Sequence, residues 1–132
     1  MNRTRLKFSN RQEWLNARKD GIGASEVASV VGLNPWETPY QLWRRKLGMD
    51  APQEENFYMK AGHYLEDAVA RFYSDASGRE IISSSADDFM FINPDKPFLR
   101  VSPDRTFWLQ GMAHNDDNKG ILECKTTQKT ID

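Results

Sequence analysis

Apolar residues recur every three or four positions through the first 77 residues, which is the spacing of one face of a helix. Four helices are predicted there, with glycine or proline near most of their ends. They are predicted to begin at Ser9 with a Ser9–Gln12 capping box, at Ala24 or Ser25, at the Thr38-Pro39 N-cap, and at Glu54, the last with Gly78 as its C-cap. Their predicted buried faces carry Trp14, Leu15 and Ala17, then Val27, Val30 and Val31, then Tyr40, Trp43 and Leu47, and finally Phe57, Ala61, Leu65, Ala68, Val69 and Phe72.

Beyond Gly78 the pattern changes to short apolar runs separated by turn residues, which is typical of β-strands. Strands are predicted at residues 80–83, 89–92, 98–102, 106–109 and 120–127. Helices followed by a mixed or antiparallel sheet define the α+β class. The length of the chain suits a single domain, residues 1–132, with a core of its own.

Composition narrows the class of protein. The chain has one cysteine, Cys124, which excludes a disulfide scaffold and a cysteine-based zinc cluster. No apolar run approaches the ~20 residues that span a bilayer, and the basic N-terminus lacks the apolar segment of a signal peptide. We therefore expect a cytoplasmic protein without membrane association.

Charge is distributed unevenly, although the formal net charge is only −1. Residues 1–50 hold nine Lys or Arg and five Asp or Glu, a balance of +4, whereas residues 51–132 hold nine and fourteen, a balance of −5. A basic front half and an acidic back half fit a protein that holds a polyanion with one part and cations with the other. Ordinary solvated surface explains the same numbers.

Two motifs near the C-terminus carry the clearest chemistry. Pro103-Asp104 closes one predicted strand, and Glu123 and Lys125 project from one face of the last, about 7 Å apart along it. An isolated Glu-x-Lys is usually a surface ion pair. A Pro-Asp separated from Glu-x-Lys by 18 residues is, however, the layout of the PD-(D/E)xK nuclease core. In that core two carboxylates hold Mg²⁺ and the lysine orients the attacking water.

Two further segments add candidate groups. Glu66 lies one turn after Gly62 in the longest predicted helix, where a glycine costs ~1 kcal/mol unless something approaches it closely. Glu66 is therefore either a third carboxylate of the same site or an ordinary surface glutamate. The loop Gly21–Gly23 follows Arg18 and leads into a helix, so its backbone N–H groups and the helix dipole favour a bound phosphate.

Four motifs in a fixed order resemble those of the YqaJ-like viral recombinases, the exonuclease group that includes the phage lambda enzyme. They are RQEWLNARKDGIGASEVASVVGLNPWETPYQLWRRKLG, MKAGHYLEDAVARFY, RVSPDR and GILECKTT, and they extend from about Arg11 to Thr127. An ordered set of four motifs is far more specific than any one of them. The resemblance implies a restriction-endonuclease-like PD-(D/E)xK core in a bacterial or phage-encoded intracellular protein.

The resemblance also implies an activity. Enzymes of this family bind the ends of double-stranded DNA and digest one strand from its 5′ end with Mg²⁺, for which Mn²⁺ is an alternative. They hand the 3′ overhang to a single-strand annealing protein, and members of the lambda type form ring-shaped trimers. Double-stranded DNA ends, an annealing protein and further copies of the chain are therefore the expected partners.

Site residues follow from the same resemblance, position by position. Asp104 and Glu123 correspond to the metal ligands, and Glu66 corresponds to the helix carboxylate that completes the catalytic site and its metal. Lys125 corresponds to the catalytic lysine. The predicted pocket for the terminal 5′ phosphate of the DNA is formed by Arg18, Ser25 and Ser102.

The sequence leaves several alternatives open. Family members usually continue well past Glu-x-Lys, so we expect that this chain lacks its C-terminal portion. It is then either a working exonuclease, a truncated and inactive module that binds DNA ends, or an endonuclease with the same core. The aromatic residues whose helical spacing favours core packing over base stacking are Trp36, Tyr40 and Trp43. The basic residues that either contact the DNA backbone or form a solvated face are Arg44, Arg45 and Lys46.

Overall fold

The structure is a computed structural model, and it describes residues 4–52, 54–82 and 89–127. The chain divides into two compact units. The first consists of Met1–Gln53 with Ala86–Ser102, and the second of Glu54–Ser85 with Pro103–Asp132. Each unit combines helix with paired strands, so the predicted α+β class is confirmed.

The first unit contains a four-stranded mixed sheet. Its strands are β1 (Thr4–Lys7), β2 (Ile22–Gly23), β3 (Phe89–Ile92) and β4 (Leu99–Val101), in the order β1-β3-β4-β2. β1 and β4 pair antiparallel with β3, whereas β2 pairs parallel with β4. The helices of this unit are α1 (Arg11–Lys19), a 3₁₀ turn (Ala24–Glu26), α2 (Val27–Val30) and α3 (Pro39–Lys46).

Local capping signals explain where the helices of the first unit begin. α3 begins at its predicted N-cap, Thr38, whose side chain accepts the Gln41 N–H while the Gln41 side chain accepts the Thr38 N–H. α1 begins differently from the prediction, because Asn10 and not Ser9 is the N-cap. The Asn10 side chain accepts the Glu13 N–H at 3.0 Å, and Ser9 donates its own N–H to the Glu13 carboxylate at 2.8 Å.

The second unit contains one long helix, α4 (Phe57–Ser77). α4 begins after the N-cap Asn56, two residues beyond the predicted start at Glu54. It ends at Gly78 as predicted, with a φ of +68°, the left-handed conformation that glycine adopts at a helix C-terminus. No helix of the described residues is long and apolar enough to cross a membrane.

A hairpin completes the second unit. β5 (Arg105–Trp108) and β6 (Lys119–Leu122) pair antiparallel, and a 3₁₀ turn precedes β6. Gly120 lies opposite Phe107 in the register, and a Cβ at Gly120 would overlap the phenyl ring. The hairpin therefore needs glycine at this position, which allows the ring of Phe107 to approach the backbone of β6 closely.

The strand predictions are correct in part. Residues 89–92 form β3 as predicted, but the last strand ends at Leu122, so the Glu-x-Lys motif follows the strand and does not lie in it. The predicted Gly21–Gly23 loop is shorter, because its last two residues pair with β4 as β2. In the predicted strand 80–83, Ile81 makes only an isolated bridge, and residue 83 lies outside the described residues. β1 escaped prediction because TRLK has a single apolar residue.

The predicted buried face of α4 is wrong. Exposed residues of that face are Phe57 (75% exposed), Leu65 (48%) and Phe72 (76%). The buried residue of α4 is Ala70, and Tyr73 packs on Phe107 of the hairpin with the ring centroids 5.7 Å apart. The packed face carries small and polar residues, so the apolar pattern of the helix does not mark it.

The predicted faces of α2 and α3 are also mostly exposed. Apolar residues there with exposed side chains are Val27, Val30, Val31, Tyr40, Trp43, Leu47 and, at 89%, the neighbouring Trp36. The predicted core role of the aromatic residues is therefore wrong. Among the described residues of this unit, the buried apolar ones are Trp14, Leu42, Phe89 and Met90. Beside the buried Leu42, α3 directs the largely buried Lys46 inward, where it pairs with the buried carboxylate of Glu26.

Candidate functional site

Strand register brings Asp104 and Glu123 to one end of the hairpin. Arg105 pairs with Leu122, so the residue before Arg105 and the residue after Leu122 lie at the same end of the antiparallel pair. Asp104 is fixed there by a hydrogen bond, since its Oδ2 accepts the Cys124 N–H at 2.7 Å. The two motifs are thus joined across 18 intervening residues, as their layout predicts.

The surroundings of Asp104 disfavour its ionised form. Burial raises its pKa above the usual value, and the charges of Glu123 and Glu66 add to this effect, while the Cys124 N–H and Lys125 oppose it. The other two acidic residues predicted for the site, Glu66 and Glu123, therefore both act on Asp104. A nearby cation would favour the ionised form of Asp104.

Lys125 contacts the same group directly. Its Nζ lies 2.6 Å from Glu123 Oε1, and this contact raises the pKa of Lys125, so the ammonium stays protonated at neutral pH. Both side chains are largely exposed. The prediction that they project side by side is met, although the backbone beyond Leu122 is irregular and strand alternation is not the cause.

Glu66 faces the hairpin and is paired with an arginine. Its Oε1 lies 2.5 Å from Nη1 of Arg105, the residue after Asp104. Gly62, one turn earlier, is not closely approached: a Cβ there would meet Thr126 Oγ1 at an ordinary 3.6 Å. The expected reason for a glycine at this position is therefore absent among the described residues. Arg105 was not predicted as part of the site.

The donor set of this cluster decides whether a metal ion fits. Carboxylate oxygens of Asp104 and Glu123 are the donors that a hard divalent cation prefers. Within the part of the chain that the structure describes, however, no group of three or more His, Cys, Asp or Glu side chains is arranged to hold a metal ion. The donor chemistry of Asp104 and Glu123 suits such an ion, and Asp104, Glu123 and Glu66 as metal ligands stay predictions.

The residues predicted for the 5′ phosphate lie in the first unit, and two of them, Arg18 and Ser102, contact Trp14. The buried Trp14 donates its indole N–H to Ser102 Oγ at 3.0 Å, which leaves the serine's own hydrogen for another acceptor. The Arg18 guanidinium lies over the Trp14 ring, 4.8 Å from its centroid. Ser25 is exposed in the 3₁₀ turn. Trp14 was predicted only as a core residue; its position four residues before Arg18, on the same helix face, was the available signal.

The backbone amides predicted to cradle a phosphate are mostly occupied. The Ile22 N–H donates to the Phe98 carbonyl at 2.6 Å, and the Gly23 N–H donates to Glu26 Oε2 at 2.9 Å. The helical segment that follows starts with a three-residue 3₁₀ turn, which has little dipole. A phosphate site in this unit therefore rests on side chains.

Glu26 is a buried carboxylate surrounded by three cations. It is 3% exposed and lies 2.6 Å from Lys46 Nζ, 3.3 Å from Arg45 and 3.6 Å from Arg18. Burial alone would raise its pKa, but the hydrogen bonds from Lys46 and from the Gly23 N–H outweigh burial and hold the pKa below 4.5. Glu26 therefore carries its charge inside the unit and joins α3 to the segment that bears Arg18.

Basic residues of α3 serve this internal network. Lys46 also donates to the carbonyls of Arg18 and Gly21, each at 2.6 Å. Arg45 contacts Glu37 at 2.7 Å, and Arg44 pairs with Asp50 at 2.8 Å. Lys46 and Arg45 thus have structural partners inside the unit, whereas a contact of Arg44 with the DNA backbone stays a prediction.

Replacing Glu26 by glutamine is expected to destabilise the first unit by about 2–4 kcal/mol, because Lys46 loses its buried counter-charge. Because folding lowers the pKa of Glu26, its ionised carboxylate contributes fully to the free energy of unfolding above the unfolded value of 4.5. This contribution is lost as the pH falls through the folded value. Urea unfolding should therefore show a large difference in stability between parent and variant near neutral pH and a smaller difference at about pH 3. Glu55→Gln, an exposed change, is the control. Equal stabilities of parent and variant at neutral pH would contradict the buried network.

Comparisons with known proteins find a family, a sequence relative and a solved structure of similar fold. The family model of the YqaJ-like viral recombinase domain matches residues 13–131. The uncharacterized protein YqaJ of Bacillus subtilis (strain 168) is 36% identical over 121 residues, which are 89% of this chain and 34% of the relative. The chain thus spans about a third of the length of this curated relative. The crystal structure of LHK-Exo in complex with dAMP is similar with a TM-score of 0.54 at 21% identity, over 73% of this chain and 48% of that chain.

The fold and the paired motifs define the class first. The chain has an α+β core similar in fold to LHK-Exo, with the Pro-Asp and Glu-x-Lys motifs at one end of a hairpin. Beyond the fold, the match over residues 13–131 and the 36% identity to YqaJ identify the family. The chain belongs to the YqaJ-like viral recombinase family.

Proposed function

We propose that the chain carries the core of a Mg²⁺-dependent DNA exonuclease of the phage recombination type, which hydrolyses one strand of double-stranded DNA from its 5′ end. The observation that carries the proposal is the meeting of Asp104, Glu123 and Lys125 at one end of the β5–β6 hairpin. Membership of a viral recombinase family supports a nucleic-acid substrate. The similarity in fold to LHK-Exo is consistent with a nuclease.

The proposed chemistry divides between carboxylates and lysine. Asp104 and Glu123 would hold Mg²⁺, with Mn²⁺ as an alternative, because both ions accept oxygen ligands. A divalent cation supplies Lewis acidity toward the scissile phosphate and lowers the pKa of a bound water. Lys125, kept protonated by Glu123, donates N–H groups that orient the attacking water and places positive charge beside the phosphate oxygens.

Recognition of the DNA end is assigned to side chains of the first unit. The Arg18 guanidinium can grip two phosphate oxygens at once, which a lysine cannot do. Ser102 keeps a hydroxyl hydrogen to donate because its oxygen already accepts from Trp14, and Ser25 offers a second, exposed hydroxyl. A terminal phosphate carries nearly two negative charges and an internal phosphodiester one, so such a pocket would prefer the end.

The wider assembly belongs to the same proposal. A ring-shaped homotrimer would keep the enzyme on its duplex, and a single-strand annealing protein would take the 3′ overhang. Both expectations rest on the family alone.

Digestion of two DNA substrates tests the proposed activity. The purified chain should release nucleotides from linear 5′-phosphorylated duplex in Mg²⁺ and none in EDTA, and it should leave covalently closed circular duplex intact, because an exonuclease needs an end. Cutting of the circle would identify an endonuclease with the same core. Binding of linear duplex without any Mg²⁺-dependent hydrolysis would identify an inactive end-binding module.

A further inference from the structure

Arg105 pairs with Glu66, the carboxylate that the family resemblance assigns to the metal. Its side chain is 9% exposed, and Nη1 donates to Glu66 Oε1 at 2.5 Å and to the carbonyl oxygen of Asp104 at 2.6 Å. Nη2 lies 3.8 Å from a carboxylate oxygen of Asp67. The guanidinium is therefore held by two acceptors at once and is not free to turn away from Glu66.

The charges of this cluster fall into two groups. Glu66 and Arg105 form a half-buried pair with no net charge, whereas Asp104 accepts a backbone N–H and Glu123 is shared with the exposed Lys125. A carboxylate that leaves a buried arginine strands an uncompensated charge, which is costly. Release of Glu66 toward a cation is therefore opposed as long as Arg105 is present.

We propose that Arg105, and not a metal ion, is the partner of Glu66, so that the Glu66–Arg105 pair is a positioning element and the cation is held by the carboxylates of Asp104 and Glu123 only. This inference rests on the proposed metal-dependent function and specifies its ligand set. It assigns to Arg105 the role of limiting the number of carboxylates open to the cation.

A charge-balanced cycle of variants separates a positioning role from direct ligation. Glu66→Gln alone leaves the Arg105 charge unpaired and should weaken the binding of Mn²⁺ by about tenfold, whereas Arg105→Gln alone frees Glu66 and should strengthen it by about the same factor. The double variant removes the pair as a unit, and the amide introduced by Arg105→Gln can still donate to the Asp104 carbonyl. Its affinity for Mn²⁺ should return to within about threefold of the parent.

The experiment is calorimetric titration of the 132-residue chain and each variant with Mn²⁺, without DNA. Lys60→Gln is the matched control, because Lys60 is an exposed cation on the same helix and its loss should not change the affinity. A double variant that binds Mn²⁺ as poorly as Glu66→Gln would show that Glu66 is a ligand and would overturn the proposal.

A second variant covers the case in which the double variant does not fold. Glu66→Asp keeps the charge but shortens the side chain, so an ion pair with Arg105 persists while a metal ligand would be withdrawn. Affinity for Mn²⁺ within about threefold of the parent supports the pair, and a loss of about tenfold or more overturns it. If the parent binds Mn²⁺ and only this prediction fails, the proposed nuclease function stands; a parent that binds no Mn²⁺ removes both.

Discussion

Asp104→Asn is expected to lower the rate of duplex digestion by at least about a hundredfold, the scale on which one group that stabilises a transition state contributes. The substitution keeps the shape of the side chain and an oxygen that accepts the Cys124 N–H, but it removes a charge from the proposed metal site. Glu123→Gln is expected to have the same effect. Binding of duplex should be largely retained, since the proposed end-binding residues belong to the first unit. Initial rates and duplex affinity measured on each variant check this prediction.

The same variants report on metal binding through stability. Burial and, after it, the charges of Glu123 and Glu66 raise the pKa of Asp104, so a bound cation would stabilise its ionised form. Mg²⁺ should therefore raise the unfolding temperature of the parent and much less that of Asp104→Asn. Asp75→Asn, an exposed change on α4, controls for the loss of an aspartate as such. If Asp104→Asn digests duplex at the parent rate, the assignment of the catalytic site is wrong.

Arg18→Ala is expected to abolish the preference for a phosphorylated 5′ end. Each charge-assisted hydrogen bond contributes roughly 1.5–3 kcal/mol, so loss of the guanidinium should slow digestion of 5′-phosphorylated duplex by about ten- to a hundredfold. Duplex with a 5′ hydroxyl has less charge to recognise and should be slowed much less. Initial rates on both substrates, for parent and variant, give the ratio of the two digestion rates directly.

Lys19→Ala is the matched control, because Lys19 is the exposed neighbour of Arg18 on α1 and lies outside the Trp14 contact. It should change both rates equally if it changes them at all. A parent protein that digests both ends at the same rate would mean that Arg18 and Ser25 are structural residues, and end recognition by these side chains would then be abandoned.

Local signals in the sequence predicted helix ends well and buried faces poorly. The Thr38 N-cap and the Gly78 C-cap depend on a few neighbouring residues, which the sequence displays directly. Which face of α4 is buried depends on what packs there, and the face with Ala70 inside and Phe72 outside is opposite to the apolar pattern. Tertiary packing, which no local pattern contains, decided the outcome.

The same distinction applies to the site. The proximity of Asp104 and Glu123 could be predicted because their two motifs flank a hairpin at a fixed spacing. The charged pairs could not be predicted: Glu26 pairs with cations on α1 and α3, and Glu66 pairs with Arg105, 39 residues away. A buried charge is tolerated only with its partner, and a sequence does not show which distant residue the partner is.

The most direct test of the proposed function follows a single strand from both ends. A blunt duplex carries a radioactive 5′ phosphate and a fluorophore at the 3′ terminus of the same strand, and the purified chain is added in Mg²⁺ or in EDTA. The proposed mechanism predicts that the 5′ mononucleotide is released first, that the fluorophore stays on long fragments, and that both EDTA and Asp104→Asn abolish the release. Undigested duplex in Mg²⁺, or release by Asp104→Asn at the parent rate, would contradict it.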